Sequence, residues 1–278
     1  MHARAVLAWS GACLVIVLAT TNPVYRTLVL ATAATTVVAG AGVARARRLL
    51  IAAGIAALSA VALNLVSAHV GADVLFALPD SIPALGGPYT AEALVEGLAA
   101  GVTLAAALLA VAPISLLLEP FEVVEALPEV LAGTGSAIAA ALNLIPGVAA
   151  SFAAVAEAQR LRGWRPRGPR SWTAVVVPVV LSAIEDSIQL AEAMEARAFG
   201  SGPRTHLRRA APGPEDRLVM GVAAAAVAAF LGARATGWVA DWDPYPFLSP
   251  PALAPLPVAA CLALALPSWV WRSRASIV

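Results

Sequence analysis

The sequence predicts an all-α integral membrane protein of about six transmembrane helices, with an amphipathic cytoplasmic helical region between the fourth and fifth. Three observations carry this prediction. Apolar residues make up 60% of the 278 residues and charged residues only 13%, with a mean hydropathy of +0.82, far from the averages of soluble domains. The apolar residues gather in runs of the ~20 residues that a helix needs to cross a bilayer. Half of the basic residues, nine of 18, fall in one short stretch between Arg160 and Arg209.

The first four runs lie near 5–21, 24–43, 49–69 and 93–118. Arg4 precedes the first run and no persuasive small-residue cleavage site follows it, which predicts a retained signal anchor. Arg45, Arg47 and Arg48 lie between the second and third runs, whereas Gly71 to Thr90 holds no basic residue. By the positive-inside rule the first of these loops is cytoplasmic and the second external. Two further runs lie near 217–237 and 252–271, joined by a loop, 238–250, that is free of arginine. The alternation puts both termini in the cytoplasm, with Arg26 as the one basic residue beside an external turn.

Between the fourth and fifth runs the texture changes, and the chain divides into N-terminal membrane helices (1–118), a cytoplasmic or interfacial region (119–212) and C-terminal membrane helices (213–278). One helix is predicted to start after Pro146-Gly147 and to end at Arg162-Gly163, because Gly suits the position just past a helix C-terminus and Arg complements the dipole there. From Leu181 onward, Leu181, Ile184, Ile188, Ala191, Met194 and Ala198 recur at spacings of three and four. Ser182, Glu185, Asp186, Gln189, Glu192 and Glu195 mark another side, the pattern of an amphipathic helix. Its upstream part, 174–181, is cut by Pro178 and is predicted to be buried against neighbours or to lie in the interface. Glu185 and Asp186 would be costly at the centre of a bilayer.

An eight-residue pattern occurs twice in this region, thirty-five positions apart: Glu157-Ala158-Gln159-Arg160-Leu161-Arg162-Gly163-Trp164 and Glu192-Ala193-Met194-Glu195-Ala196-Arg197-Ala198-Phe199. Each copy reads Glu-Ala, three variable positions, Arg, a small residue and an aromatic. The first copy is predicted to end its helix at Arg162-Gly163 and the second at Phe199-Gly200, ahead of Pro203, so each Arg is predicted to protrude from the tip of a helix. Dipole complementarity and the positive-inside rule account for one such Arg without any partner. Two copies that share their surroundings are harder to obtain that way. A guanidinium is also suited to recognition, because its planar fork bonds carboxylates bidentately.

The rest of the composition excludes more than it suggests. All 18 basic residues are Arg and there is no Lys, so neither a P-loop nor Schiff-base chemistry is available. Cys13 and Cys261 sit in apolar runs, and His2, His69 and His206 lack ligand spacing. No catalytic residue, metal ligand, cofactor or nucleic-acid site is assigned. A self-contained secondary transporter would show paired ionisable residues within spans, for which Asn64, His69, Glu92 and Glu96 are thin material. A membrane enzyme would need a catalytic cluster. The acidic pairs Glu185-Asp186 and Glu215-Asp216 have no His or metal-ligand companion.

The two octapeptides, followed by Gly200 and Pro203-Arg204-Thr205, resemble the transmembrane T component of energy-coupling-factor transporters, the family of the CbiQ-type proteins, over about 22–205. In that family two Ala-Arg-Gly-type signatures end cytoplasmic coupling helices, and each Arg enters a groove of an ATPase subunit. The resemblance implies docking through Arg162 and Arg197 with Gly163, Ala196 and Ala198 around them. Leu161 stands where Ala is usual, and Ala198 where Gly is usual. The partners implied are two ABC ATPase subunits and a small membrane-embedded subunit that binds the substrate, a vitamin or a metal cation. Leu181, Ile184, Ile188, Ala191 and Met194 are candidates for contact with that subunit, unless the stripe is internal packing. On this reading the chain is a non-catalytic scaffold in the plasma membrane of a bacterium or archaeon.

Overall fold

The computed structural model describes residues 2–68, 70–79, 86–126, 132–199 and 211–275. His69, Gly200, Pro203, Arg204, Thr205, His206 and Arg209, all singled out in the sequence, lie outside them. The chain is helical almost throughout and forms two compact units, Met1–Glu119 with Pro212–Val278, and Pro120–Ala211.

The first unit contains α1 (Ala3–Ala19), α2 (Pro23–Ala41), α3 (Val43–Ser67), α4 (Ala91–Leu117), α8 (Pro214–Ala235), α9 (Pro255–Ala263) and α10 (Leu266–Ala275). Its core is made where α1 meets α4 and α8 and where α2 meets α4. Trp9, fully buried, donates from Nε1 to the Leu264 carbonyl at 2.8 Å and meets Trp271 edge to face at 6.1 Å. Tyr25 meets Phe230 in the same way at 5.6 Å, and its hydroxyl accepts from the Ala254 N–H at 2.9 Å. Cys13 and Cys261 are free thiols buried in this core. Along α3 and α4 the backbones come close, because a Cβ on Gly101 would stand 2.8 Å from the Ala57 carbonyl oxygen.

The polar groups at the helix starts fix the connectivity. Asn22 caps α2, accepting from the Val24 N–H at 2.9 Å, and donates to the Ala252 carbonyl at 2.8 Å. The His2 N–H donates to Asp216, the residue that closes the start of α8, so α1 and α8 begin at the same end. Arg4, Arg45, Arg47, Arg48 and Arg217 accordingly gather at that end of the unit. At the opposite end Arg26 lies in electrostatic reach of Glu96, and Arg234 binds Asp241 at 2.8 and 3.2 Å. That contact holds the Asp241 carboxyl below the usual carboxylate range.

A two-stranded antiparallel hairpin, β1 (Val74–Leu78) and β2 (Gly87–Thr90), joins α3 to α4, an addition to the all-α prediction. Glu92 latches its approach: the carboxylate accepts from the Ala72 and Asp73 N–H groups, both at 3.1 Å. Gly71 is at φ +147°, and a Cβ there would collide with that carboxylate. Glu92 is thus occupied in holding a loop.

The second unit contains α5 (Pro120–Glu125), α6 (Ala132–Leu161), a 3-10 turn (Pro169–Trp172) and α7 (Thr173–Ala196). Two expectations are corrected here. The helix expected to begin after Pro146-Gly147 begins at Ala132 and carries Pro146 inside it. Pro178 likewise does not cut the second helix, and α7 is continuous for 24 residues.

Six of the described helices are long and apolar enough to cross a membrane: α2, α3, α4, α8, and, within the second unit, α6 and α7. The set differs from the six runs of the sequence. At 17 residues α1 is slightly short. The last run is divided into α9 and α10 beside Pro267, which lacks the donor needed to carry the helix through.

Candidate functional site

The repeated octapeptides are two helix ends built with the same hydrogen bonds. In the first, the Trp164 N–H reaches the Gln159 carbonyl at 2.9 Å and the Gly163 N–H reaches Arg160 at 3.0 Å. In the second, the Phe199 N–H reaches Met194 at 3.0 Å and the Ala198 N–H reaches Glu195 at 2.8 Å. This is the paired bonding of a Schellman termination, in which the residue after the cap turns left-handed. That residue is Gly163 at φ +86° in one and Ala198 at φ +55° in the other. The small residue and the aromatic of the repeat therefore have a local explanation.

The arginines do not. A third helix end, that of α8, closes identically, with the Trp238 N–H on Ala233 at 2.9 Å, the Gly237 N–H on Arg234 at 3.1 Å and Gly237 at φ +80°. Its cap is Thr236. Termination works without Arg in that position, so Arg162 and Arg197 are not needed to stop their helices. Both are exposed. Neither guanidinium makes a hydrogen bond or ion pair among the described residues, whereas Arg234 does. The Gly237-Trp238 step was available in the sequence as the signal for this third end.

The first tip is braced. Trp164 donates from Nε1 to the Ser171 carbonyl at 2.8 Å and stands edge to face with Trp172 at 5.4 Å. Trp172 stacks on Phe152 at 6.1 Å. Ser171 also accepts from the Arg167 N–H and donates to the Gly168 carbonyl, each at 2.8 Å. Beneath, Ala156, Val175 and Val179 form a small core with Val148, Val155 and Trp164. Arg162 is thereby fixed beside the start of α7 and Arg197 caps its other end. A helix of 24 residues separates them by about 36 Å at ~1.5 Å per residue.

The stripe on α7 is not internal packing within this unit. Ile184 is 52% and Ile188 55% exposed, and Leu181 and Ala191 are exposed as well, while Met194 is half-buried. The buried apolar side chains of α7 are instead Val175 and Val179. Ile184, Ile188 and Ala191, with Val148 of α6, line an open cleft of about 450 Å³.

Comparison with known families matches the model of CbiQ, described as a cobalt transport protein, to residues 1–207. Comparison with curated protein sequences gives no match. The matched stretch includes both Arg-tipped ends and stops before α8.

Proposed function

The chain belongs to the CbiQ family of cobalt transport proteins, and from that membership we propose that it is the energy-coupling membrane subunit of an importer driven by two separate ABC ATPase subunits. It is a multi-pass membrane protein. Its role in this reading is mechanical: Arg162 and Arg197 seat in acidic grooves of the ATPases, and α6 and α7 carry the motion of ATP-driven closure to a membrane-embedded subunit that captures the substrate, a metal cation or a vitamin.

The observation that carries the proposal is the pair of arginines without partners among the described residues, at the caps of two identically closed helix ends. Their separation of about 36 Å is too wide for one groove and suits two. The exposed face of Leu181, Ile184 and Ile188 supports contact with the substrate-binding subunit, because an apolar stripe unpaired within its own unit fits a helix-in-groove partner. Gly163, Ala196 and Ala198, all small, let a groove wall approach each guanidinium.

Docking from one compartment requires Arg162 and Arg197 on the same side of the membrane. If α7 crossed the bilayer its two ends would face opposite sides. Glu185 and Asp186 stand at the middle of α7, where a carboxylate in the hydrocarbon costs roughly 2.5–3.5 kcal/mol or more. We therefore assign α6 and α7 to the cytoplasmic interface, with both chain termini cytoplasmic. Expression with the ATPases of the same transport system tests this: the proposal expects a stable complex with two ATPase subunits, and a chain that purifies alone under all nucleotide conditions contradicts it.

A further inference from the structure

Five of the eleven residues from Arg160 to Arg170 are arginine: Arg160, Arg162, Arg165, Arg167 and Arg170. No acidic residue occurs from Ala158 to Ile184. All five arginines are exposed, and none of their side chains has a hydrogen bond or ion pair among the described residues. Docking of one groove uses one of them. The other four need a different account, and the surroundings supply it.

The run is not a loose loop. The bonds of Ser171 and of Trp164 described above hold the backbone from Arg167 to Ser171 in a fixed turn, so the spacing of the charges is set before any ligand arrives. Apolar groups are interleaved with the charges. Leu161 is 86% exposed between Arg160 and Arg162, and Trp172 and Phe152, stacked on each other, are 39% and 36% exposed. The same surface continues onto α6, whose apolar 140–161 stretch is hardly buried. The acidic groups of α7, Glu185, Asp186, Glu192 and Glu195, lie from its middle to its far end, away from the arginines.

From this arrangement we infer that the junction of α6 and α7 is a binding surface for the phosphate headgroups of anionic phospholipids. Guanidinium groups bond phosphate oxygens bidentately. Trp172 beside them suits the depth where headgroups meet acyl chains, and exposed Phe and Leu suit the apolar face of a helix lying in the interface. Clusters of basic residues at the membrane surface are attracted to anionic lipid, and the attraction is screened by salt. A free phosphate would have no use for the exposed leucine and aromatic pair, whereas a lipid uses both halves of the surface. The anionic leaflet would then hold the first helix tip at a fixed depth while the acidic end of α7 stays free of it.

The test uses the full chain in nanodiscs of equal phosphatidylglycerol and phosphatidylcholine, with native mass spectrometry reading which lipid remains bound on release. The wild type is expected to retain phosphatidylglycerol in preference, and less so when salt is raised. Arg165→Gln/Arg167→Gln/Arg170→Gln, which keeps Arg162, is expected to lose that preference by roughly fivefold for each arginine removed. Arg45→Gln/Arg47→Gln/Arg48→Gln is expected to keep it. Equal loss in both triple variants overturns the inference, as does a wild-type preference that high salt leaves unchanged. A triple variant that keeps its phosphatidylglycerol but no longer binds ATPase subunits also overturns it, because the surface would then be a protein contact.

Discussion

Gln159 donates from its side-chain amide to the carbonyl oxygen of Ala174 at 3.2 Å. In an uninterrupted helix that oxygen would receive the N–H of residue 178, and Pro178 has none. The last turn of α6, which carries Arg162, thus completes the hydrogen bonding of the first turns of α7. The contact ties one Arg-tipped end to the helix that leads to the other.

Replacing Gln159 by Leu removes this tie and leaves the Ala174 oxygen without its donor, at a cost of about 1 kcal/mol. Because Arg162 and Arg197 are untouched, ATPase binding is expected to persist. Transport in reconstituted vesicles is expected to consume more ATP per substrate delivered. An unchanged ratio would mean that the hydrogen bond plays no part in transmission.

The two helix ends differ in one respect that stability measurements can read. Gly163 takes its left-handed conformation freely, whereas Ala198 does so with a Cβ, which costs on the order of 1 kcal/mol. Gly163→Ala is expected to destabilise the protein by about 1 kcal/mol. Ala198→Gly is expected to stabilise it by about 0.5–1 kcal/mol, less than the strain relieved because glycine loses more entropy on folding. Thermal unfolding of the two variants should move in opposite directions, and shifts of the same sign would contradict the assigned conformations.

The α3–α4 contact makes a second stability prediction. A methyl group on Gly101 meets backbone, the Ala57 carbonyl, at 2.8 Å, so the helices must separate. Gly101→Ala is expected to cost about 1–3 kcal/mol and Gly97→Ala less, since its nearest contacts lie at 3.2 Å. Melting in detergent distinguishes the two. Equal stability of Gly101→Ala and wild type would show that the helices are not in close contact.

The apolar runs that become α1 to α4 and α8, and the end of α6 at Arg162-Gly163, are legible in the sequence because their signals are local: stretches of apolar residues, and a Gly just past an Arg. What is not legible depends on partners distant in the chain. Pro146 and Pro178 read as breaks, yet α6 and α7 pass through them, and for Pro178 the compensating donor is Gln159, fifteen residues before the oxygen it serves. The stripe of Ile184 and Ile188 has the period of a buried face, and period alone cannot tell which surface covers it. The hairpin 74–78 with 87–90 lies in a stretch whose apolar residues do not alternate, so no strand pattern announces it.

The distribution of the arginines predicts the sidedness. A cysteine at Gly87 is expected to react with a membrane-impermeant label added to intact cells. Cysteines at Arg167 and Glu195, before and near the end of α7, are both expected to be protected until the membrane is opened. Labelling of only one of these two from outside would mean that α7 crosses the bilayer, and the arginines could not dock in one compartment.

The most direct test of the coupling proposal is the amount of ATPase retained by the chain when either arginine is reversed in charge. Arg162→Glu and Arg197→Glu each place a carboxylate where the proposal requires a cation, and disrupting a buried charge pair at an interface costs roughly 2–5 kcal/mol. Each single variant also forfeits the linkage that strengthens the remaining contact. The expected result is reduced ATPase in each single variant, none in the double variant, and a wild-type amount in Arg45→Glu. If all four variants retain the ATPases as the wild type does, the two helix ends are not the docking elements and the proposal fails.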